Sequence, residues 1–243
     1  MNDVSTSTAL DYRVRINRRA RRARITVNHT GEVVVVVPRP LAERAIRELV
    51  AEHHAWIAAR QAELAERLAG LPPQQGLTPP QIDLRALDEQ WSVAYAVDLG
   101  RRRWRACQSS RQLQLRTAPG DPQSRAGLQA WLQDRARTIL PPWLEQISDR
   151  LGLICTGVSI RAQKTRWGSC SSNGRINLNR NLLFLPAELV EYLLVHELCH
   201  LREPNHSPRY WQQVENVLPD YRQRDRALRD AVVQVPLWAR PGG

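Results

Sequence analysis

The sequence predicts an α+β fold, and three observations carry that expectation. Short alternating or β-branched runs fill the first half of the chain. Helical patterns separated by prolines close it, and the first of these contains His196-Glu197-Leu198-Cys199-His200. With 243 residues, 42% of them hydrophobic and 24% charged, the chain is long enough to bury a full core.

In order, residues 1–10 read as a disordered tail and 11–236 as one domain. Within it, 11–70 form a basic hairpin plus a long helix, and 81–236 hold the region with the chemistry. Tyr12 to Ile16 alternates apolar with basic residues and Arg24 to Asn28 resumes that pattern. His29-Thr30-Gly31 supplies a turn, and the Glu32 to Val37 run ends at Pro38. This is a β-hairpin or small meander, with Val33 to Val37 apolar on both faces and so covered on both. Leu41, Ala45, Leu49, Trp56 and Leu64, with Ile46, Val50, Ile57 and Leu68 beside them, then mark one amphipathic helix stopped by Gly70. Leu71 to Pro80, with four prolines, is an extended linker and the candidate boundary.

Residues 82–116 read as further short strands, including Gln90 to Leu99 and Arg101 to Cys107. A helix beginning near Pro122 is interrupted or kinked by Pro141-Pro142 and resumes over Trp143 to Leu151. Strands over Gly157 to Ala162 and Arg175 to Asn179 flank a turn in Arg166 to Gly174. Helices follow at about 187–203, 208–218 and 221–232.

The chain carries a formal charge of +11 and a pI near 10.6, nearly all from arginine, Lys164 being the single lysine. That balance suits polyanions such as nucleic acid or nucleotides, although a solvated arginine-rich surface gives the same number. The densest runs are Arg18 to Arg24 and Arg101 to Arg105, the latter with Trp104 available to stack. Cys107, Cys155, Cys170 and Cys199 form no Cys-x-x-Cys pair, which argues for reduced thiols. Met1 to Leu10 lacks the basic start and apolar stretch of a secretory signal, and no apolar run approaches a membrane span. The chain is therefore expected to be cytoplasmic, with no membrane partner.

The chemistry concentrates at 196–206, where three of the six histidines fall. Residues four apart share a helix face, so His196 and His200 can hold one ion between them. Glu197, on the adjoining edge, can take a proton from water activated there. On a continuous helix His206 would lie roughly 15 Å beyond His196. Pro204 cannot donate to the His200 carbonyl and biases Glu203 out of the helical region, so the chain must turn at about 203–205 and can return His206 to the ion. Glu215 on the next helix competes for the third ligand position; with three histidines bound it becomes a supporting group or a plain helix-edge carboxylate. Cys199 points about 100° away from His200 and reads as core. Tyr192, one turn before His196, either borders the site or packs in the core.

Arg166-Trp167-Gly168-Ser169-Cys170, Ile176-Asn177-Leu178-Asn179, the His196 to His206 cluster, Tyr210-Trp211 and Pro219-Asp220-Tyr221 together resemble the YgjP-like metallopeptidase family. More distantly they are similar to SprT-like zinc proteases. The specific likeness covers about 158–230, and the basic hairpin and long helix fit the same family's N-terminal part. It implies a bacterial cytoplasmic protein with a zincin-like catalytic region: an active-site helix, a small antiparallel sheet, Zn²⁺ on His196, His200 and His206, and Glu197 as base. Glu203 stands where the longer metzincin motif has glycine, so the turn is made differently. The Trp167 to Asn179 stretch suits an active-site wall whose edge strand pairs with an extended substrate; alternatively, Trp167 and Ile176 simply pack on the helix.

Three functions compete. The first is a zinc peptidase acting on a peptide or protein substrate. The second is a metal-dependent nucleoside triphosphate pyrophosphohydrolase, weakened by the lack of a Walker-type loop or a carboxylate cluster suited to Mg²⁺. The third is a basic nucleic-acid-binding protein with a structural metal, for which four protein ligands are expected and three are found.

Overall fold

The computed structural model describes residues 11–27, 31–69 and 78–240. The expected tail at 1–10, Asn28, His29 and Thr30 of the first turn, the helix stop at Gly70 and linker residues 71–77 lie outside the described residues. So do the side chains of Leu64 and Leu68. The chain divides between residues 72 and 73 into two compact units.

In the first unit, β1 (Tyr12–Ile16), β2 (Arg24–Val27) and β3 (Val33–Val37) form one sheet in the order β1-β3-β2. β2 and β3 make the expected hairpin, but β1 pairs in parallel with β3, so the three strands are not a meander. The physical reason lies in β3. Its five valines are buried or half-buried, and such a strand is best placed at the centre with a partner on each edge. Val33, Val35 and Val37 pack against Ile46, Val50 and Ile57. These come from two helices, α1 (Glu43–Glu52) and α2 (His54–Ala69), not the single long helix expected. The break falls at His53, whose φ of −100° and ψ of 11° leave the helical region while its ring Nδ1 lies 3.0 Å from the Leu49 carbonyl.

In the second unit, β4 (Gln81–Leu84), β5 (Glu89–Ala94), β6 (Trp104–Cys107) and β7 (Gln112–Leu115) form a sheet in the order β4-β5-β7-β6. The strand expected to reach Leu99 stops at Ala94, just before Ala96 takes a left-handed φ of 57°. α3 (Pro122–Leu151) follows, its start fixed by the Asp121 carboxylate accepting from the Gln123 N–H at 2.7 Å. Of the two expected effects, interruption does not occur: Pro141 and Pro142 lie inside one continuous helix. The carbonyls they leave without donors belong to Arg137 and Thr138, both exposed, so water can satisfy them. Trp131 on α3 meets Trp91 on β5 edge to face at 5.2 Å between ring centres.

The third sheet, β8 (Gly157–Arg161), β9 (Gly168–Cys170) and β10 (Arg175–Asn179), has the order β8-β10-β9. Only β9 is antiparallel to β10; β8 runs parallel, so this small sheet is mixed and not purely antiparallel. Three helices complete the unit: α4 (Ala187–Cys199), α5 (Pro208–Val217) and α6 (Tyr221–Asp230). α4 is apolar nearly all round: Leu189, Val190, Leu193, Leu194, Val195 and Leu198 are buried in the unit's core. A helix so enclosed is a rigid platform for whatever polar groups it carries. Among the described residues, no helix is long and apolar enough to cross a membrane.

Candidate metal centre

α4 ends earlier than the sequence indicates. Its last helical residue is Cys199, and the chain tightens through short bonds from Leu201 N–H to the Leu198 carbonyl at 3.0 Å and from Arg202 N–H to the Cys199 carbonyl at 3.1 Å. The turn therefore begins at His200, ahead of Pro204. α5 restarts at Pro208, with Ser207 as N-cap accepting from the Tyr210 N–H at 3.2 Å.

The consequence is convergence. One ring nitrogen from each of His196, His200 and His206 lies within 4.8 Å of the others, and these residues form the one group of three or more possible metal ligands among the described residues. The Nε2 atoms of His196 and His206 are 3.2 Å apart. Two nitrogens each about 2.05 Å from one tetrahedral ion lie about 3.3 Å apart, so this edge fits zinc ligation. Glu215 is not in the group; its carboxylate instead faces Arg222 at 3.9 Å.

His196 and His200 each have a partner for the other ring nitrogen. His200 Nδ1 donates to the Glu203 carbonyl at 3.0 Å, leaving Nε2 with a free lone pair. Tyr192 donates its hydroxyl to Asp225 Oδ1 at 2.9 Å, so the same oxygen can accept from His196 Nδ1 at 3.4 Å. Arg229 in turn donates to Asp225. Burial, followed by the neighbouring His200 and His206, pushes the His196 ring down to about 3. It is therefore neutral, the form a metal ligand requires. Tyr192 thus satisfies both readings of it, fully buried and bordering the site.

Aromatic rings hold the histidines from the α5 side. Tyr210 stacks on His200 at 4.5 Å and donates to the His196 carbonyl at 3.0 Å. Trp211 stacks on His206 at 5.3 Å and is backed by Tyr221 at 5.3 Å.

Glu197 is buried at 4% exposure, and its carboxyl is pushed up to about 8 by burial, opposed by the Cys170 backbone N–H and by Arg166. It lies against β9: a Cβ built on Gly168 would fall 2.5 Å from Glu197 Oε1. β9 is thus an edge strand placed directly on this carboxylate. Asn179 pins the approach to it, donating to the carbonyls of Gln163 and Arg166 at 2.9 Å each. Trp167 bonds the Leu228 carbonyl through Nε1 at 3.1 Å, and Ile176 is fully buried. Ile176 lies in the core and the partly buried Trp167 packs against it, while the Gly168–Cys170 strand lines the carboxylate. Cys199 is core, as expected.

Sequence reasoning missed Asp225 and the close approach of Gly168. The stretch expected as a turn contains the strand β9, and the one signal for the second was a glycine upstream of the metal helix.

Residues 21–231 match the family described as YgjP-like, metallopeptidase domain. Among solved structures, the crystal structure of the metallopeptidase zymogen of Pyrococcus abyssi abylysin is 33% identical, over 37% of this chain and 92% of that one, with a TM-score of 0.34. No curated protein matches the chain.

Proposed function

The chain belongs to the YgjP-like metallopeptidase domain family, and from that premise we propose that it is a zinc-dependent peptidase with Glu197 as its catalytic base. The observation that carries this reading is the meeting of three imidazole nitrogens at the end of a helix that also carries the buried Glu197 next to His196. His196, His200 and His206 would hold the ion, three protein ligands leaving a position open for chemistry. When bound, Zn²⁺ supplies a Lewis acid that polarises the scissile carbonyl and acidifies water.

The chain's own residues do the rest. Glu197 accepts a proton from the attacking water and returns it to the leaving amine. The Cys170 N–H, donating to Glu197, favours its ionised form against the burial that opposes it. Tyr192, Asp225 and the Glu203 carbonyl fix the rings of His196 and His200 so that each presents the correct nitrogen. β9 is an edge strand, and the backbone groups on that edge not taken by Glu197 would pair with an extended peptide running beside the carboxylate.

The test combines metal analysis with peptide and nucleotide panels. Glu197→Gln should keep bound zinc and lose peptide hydrolysis; retained hydrolysis removes Glu197 from the mechanism. His206→Ala should bind zinc more weakly, whereas Glu215→Gln should not. Cleavage of nucleoside triphosphates but no peptide would transfer the same site to the second reaction class.

A further inference from the structure

The arginine-rich stretch of the first unit plays no part in the metal centre, and its placement is specific. Arg13 and Arg15 lie on β1 and Arg24 on β2, registered with Val34, Val36 and Val36 of β3 respectively. Paired residues of neighbouring strands share a face, so all three arginines project from one side of the sheet. The helices cover the β3 part of the other side, where Val33, Val35 and Val37 are packed. Val36 is buried although it belongs to neither apolar cluster, which is consistent with the aliphatic stems of Arg15 and Arg24 lying over it.

The connection between β1 and β2 extends this face. Because β3 lies between those strands, residues 17–23 must cross the sheet at the Val37 end of β3, and the Asn17 N–H donates to the Val37 carbonyl at 2.8 Å. The Ala20 N–H bonds the Asn17 carbonyl at 2.9 Å and the Arg19 N–H bonds Asn17 Oδ1 at 3.1 Å, so the crossing is a defined turn. It carries Arg18, Arg19, Arg21 and Arg22, all exposed.

Seven exposed guanidinium groups thus occupy one face and one end of a three-stranded sheet. Arg13 meets Glu32 at 3.9 Å, and the other six make no ion pair among the described residues. On α1 of the same unit, by contrast, Arg44 and Arg47 meet Glu48 and Glu43. Along β1 the charges recur about every 6.6–6.8 Å, and β1 and β2 stand about 9.5 Å apart.

We propose that this face binds the phosphate backbone of duplex nucleic acid, without reading its sequence. The sheet face presents Arg13, Arg15, Arg24, Thr26, Val34 and Val36, with no aromatic ring on which a splayed base could stack, which disfavours single strands. Duplex nucleic acid offers the densest row of phosphates, one charge per about 1.7 Å of axis. An anionic membrane would call for apolar groups among the charges; the exposed Val14 and Ile16 alternate with the arginines along β1 and so point to the opposite face.

The experiment uses the full chain. Binding to a labelled 20-base-pair duplex of arbitrary sequence is followed from 50 to 200 mM salt. About six phosphate contacts give a slope of log affinity against log salt near −5, a loss of about 10³-fold over that range. The variant carrying Arg15→Gln, Arg18→Gln, Arg22→Gln and Arg24→Gln should flatten the slope to about −2. Its circular dichroism should match wild type, all four side chains being exposed. The triple variant Arg101→Gln, Arg103→Gln, Arg105→Gln, in the second unit, should keep the wild-type slope. An unchanged slope in the quadruple variant overturns the proposal, as does wild-type protein that fails to bind. Equal affinity for poly-glutamate or for phosphatidylserine vesicles of matched charge also overturns it, assigning the face to another polyanion.

Discussion

Replacing Gly168 with alanine tests whether the position of Glu197, and not merely its presence, governs activity. The new Cβ would fall 2.5 Å from Oε1, 2.9 Å from Cγ and 3.0 Å from Cδ of Glu197, where ordinary contact begins near 3.4 Å. The carboxylate must therefore retreat by about 1 Å, a misplacement that costs about 10²-fold in rate. Stability moves much less. Overpacking costs about 1–3 kcal/mol, but the group that yields is a side-chain terminus, and alanine regains about 0.4–1 kcal/mol by restricting the unfolded chain. The net loss is about 0–2.6 kcal/mol, too small to unfold a domain of this size. kcat/KM for the best peptide of a panel, zinc content and a urea melt separate the two effects. Gly127→Ala is the matched control, since its Cβ would meet Leu115 Cδ2 at 2.9 Å inside the core and away from the histidines. Gly168→Ala with full zinc, near-native stability and activity lowered about 100-fold is the expected result. Activity within threefold of wild type would refute the placement of Glu197 against β9; loss of zinc together with activity would show that the ligands had moved instead.

Two further outcomes follow from the geometry. Tyr192→Phe removes the oxygen that receives His196 Nδ1 and links it to Asp225. Zinc affinity, read by chelator competition, should fall about 10- to 100-fold, and an unchanged value would reduce Tyr192 to core packing. Cys107 should be the thiol that alkylates first. It is exposed, and hydrogen bonds from the Ser109 and Ser110 side chains lower it to about 7, whereas burial raises Cys170 and lifts Cys199 to about 11. Stabilising the thiolate means that its iodoacetamide rate should rise through about pH 7 and fall away below it; a midpoint near 9 would contradict this.

How much of this was readable in the sequence depends on the range over which each cause acts. The pairing of His196 with His200 follows from helix periodicity alone, and the return of His206 follows from the need for a turn before residue 206. The chain does bend at Pro204 and Asn205, but the helix ends several residues before the proline. Proline at 204 is visible in the sequence, but the chain tightens at Leu201 and Arg202 through backbone bonds that any residue types can make. Strand positions were readable from alternation, whereas partners were not. The parallel pairing of β1 with β3 depends on which edge of the valine strand is free, which a single-strand pattern does not encode. That the helix continues through Pro141-Pro142 is not a local property either: its continuity depends on Arg137 and Thr138 facing water, a property of the packed unit.

The same distinction runs through the site. The groups that would bind the ion lie within eleven residues of each other, from His196 to His206, and declare themselves. The groups that aim them do not: Asp225 is 33 residues from Tyr192, and Gly168 lies on another sheet element altogether. Ligation needs particular side chains at particular spacings, and so leaves a motif. Positioning needs only an acceptor or a small gap at one point in space, and many chain segments can supply either. Activity in such a fold should therefore respond to substitutions at Gly168 and Asp225 out of proportion to anything the motif alone would indicate.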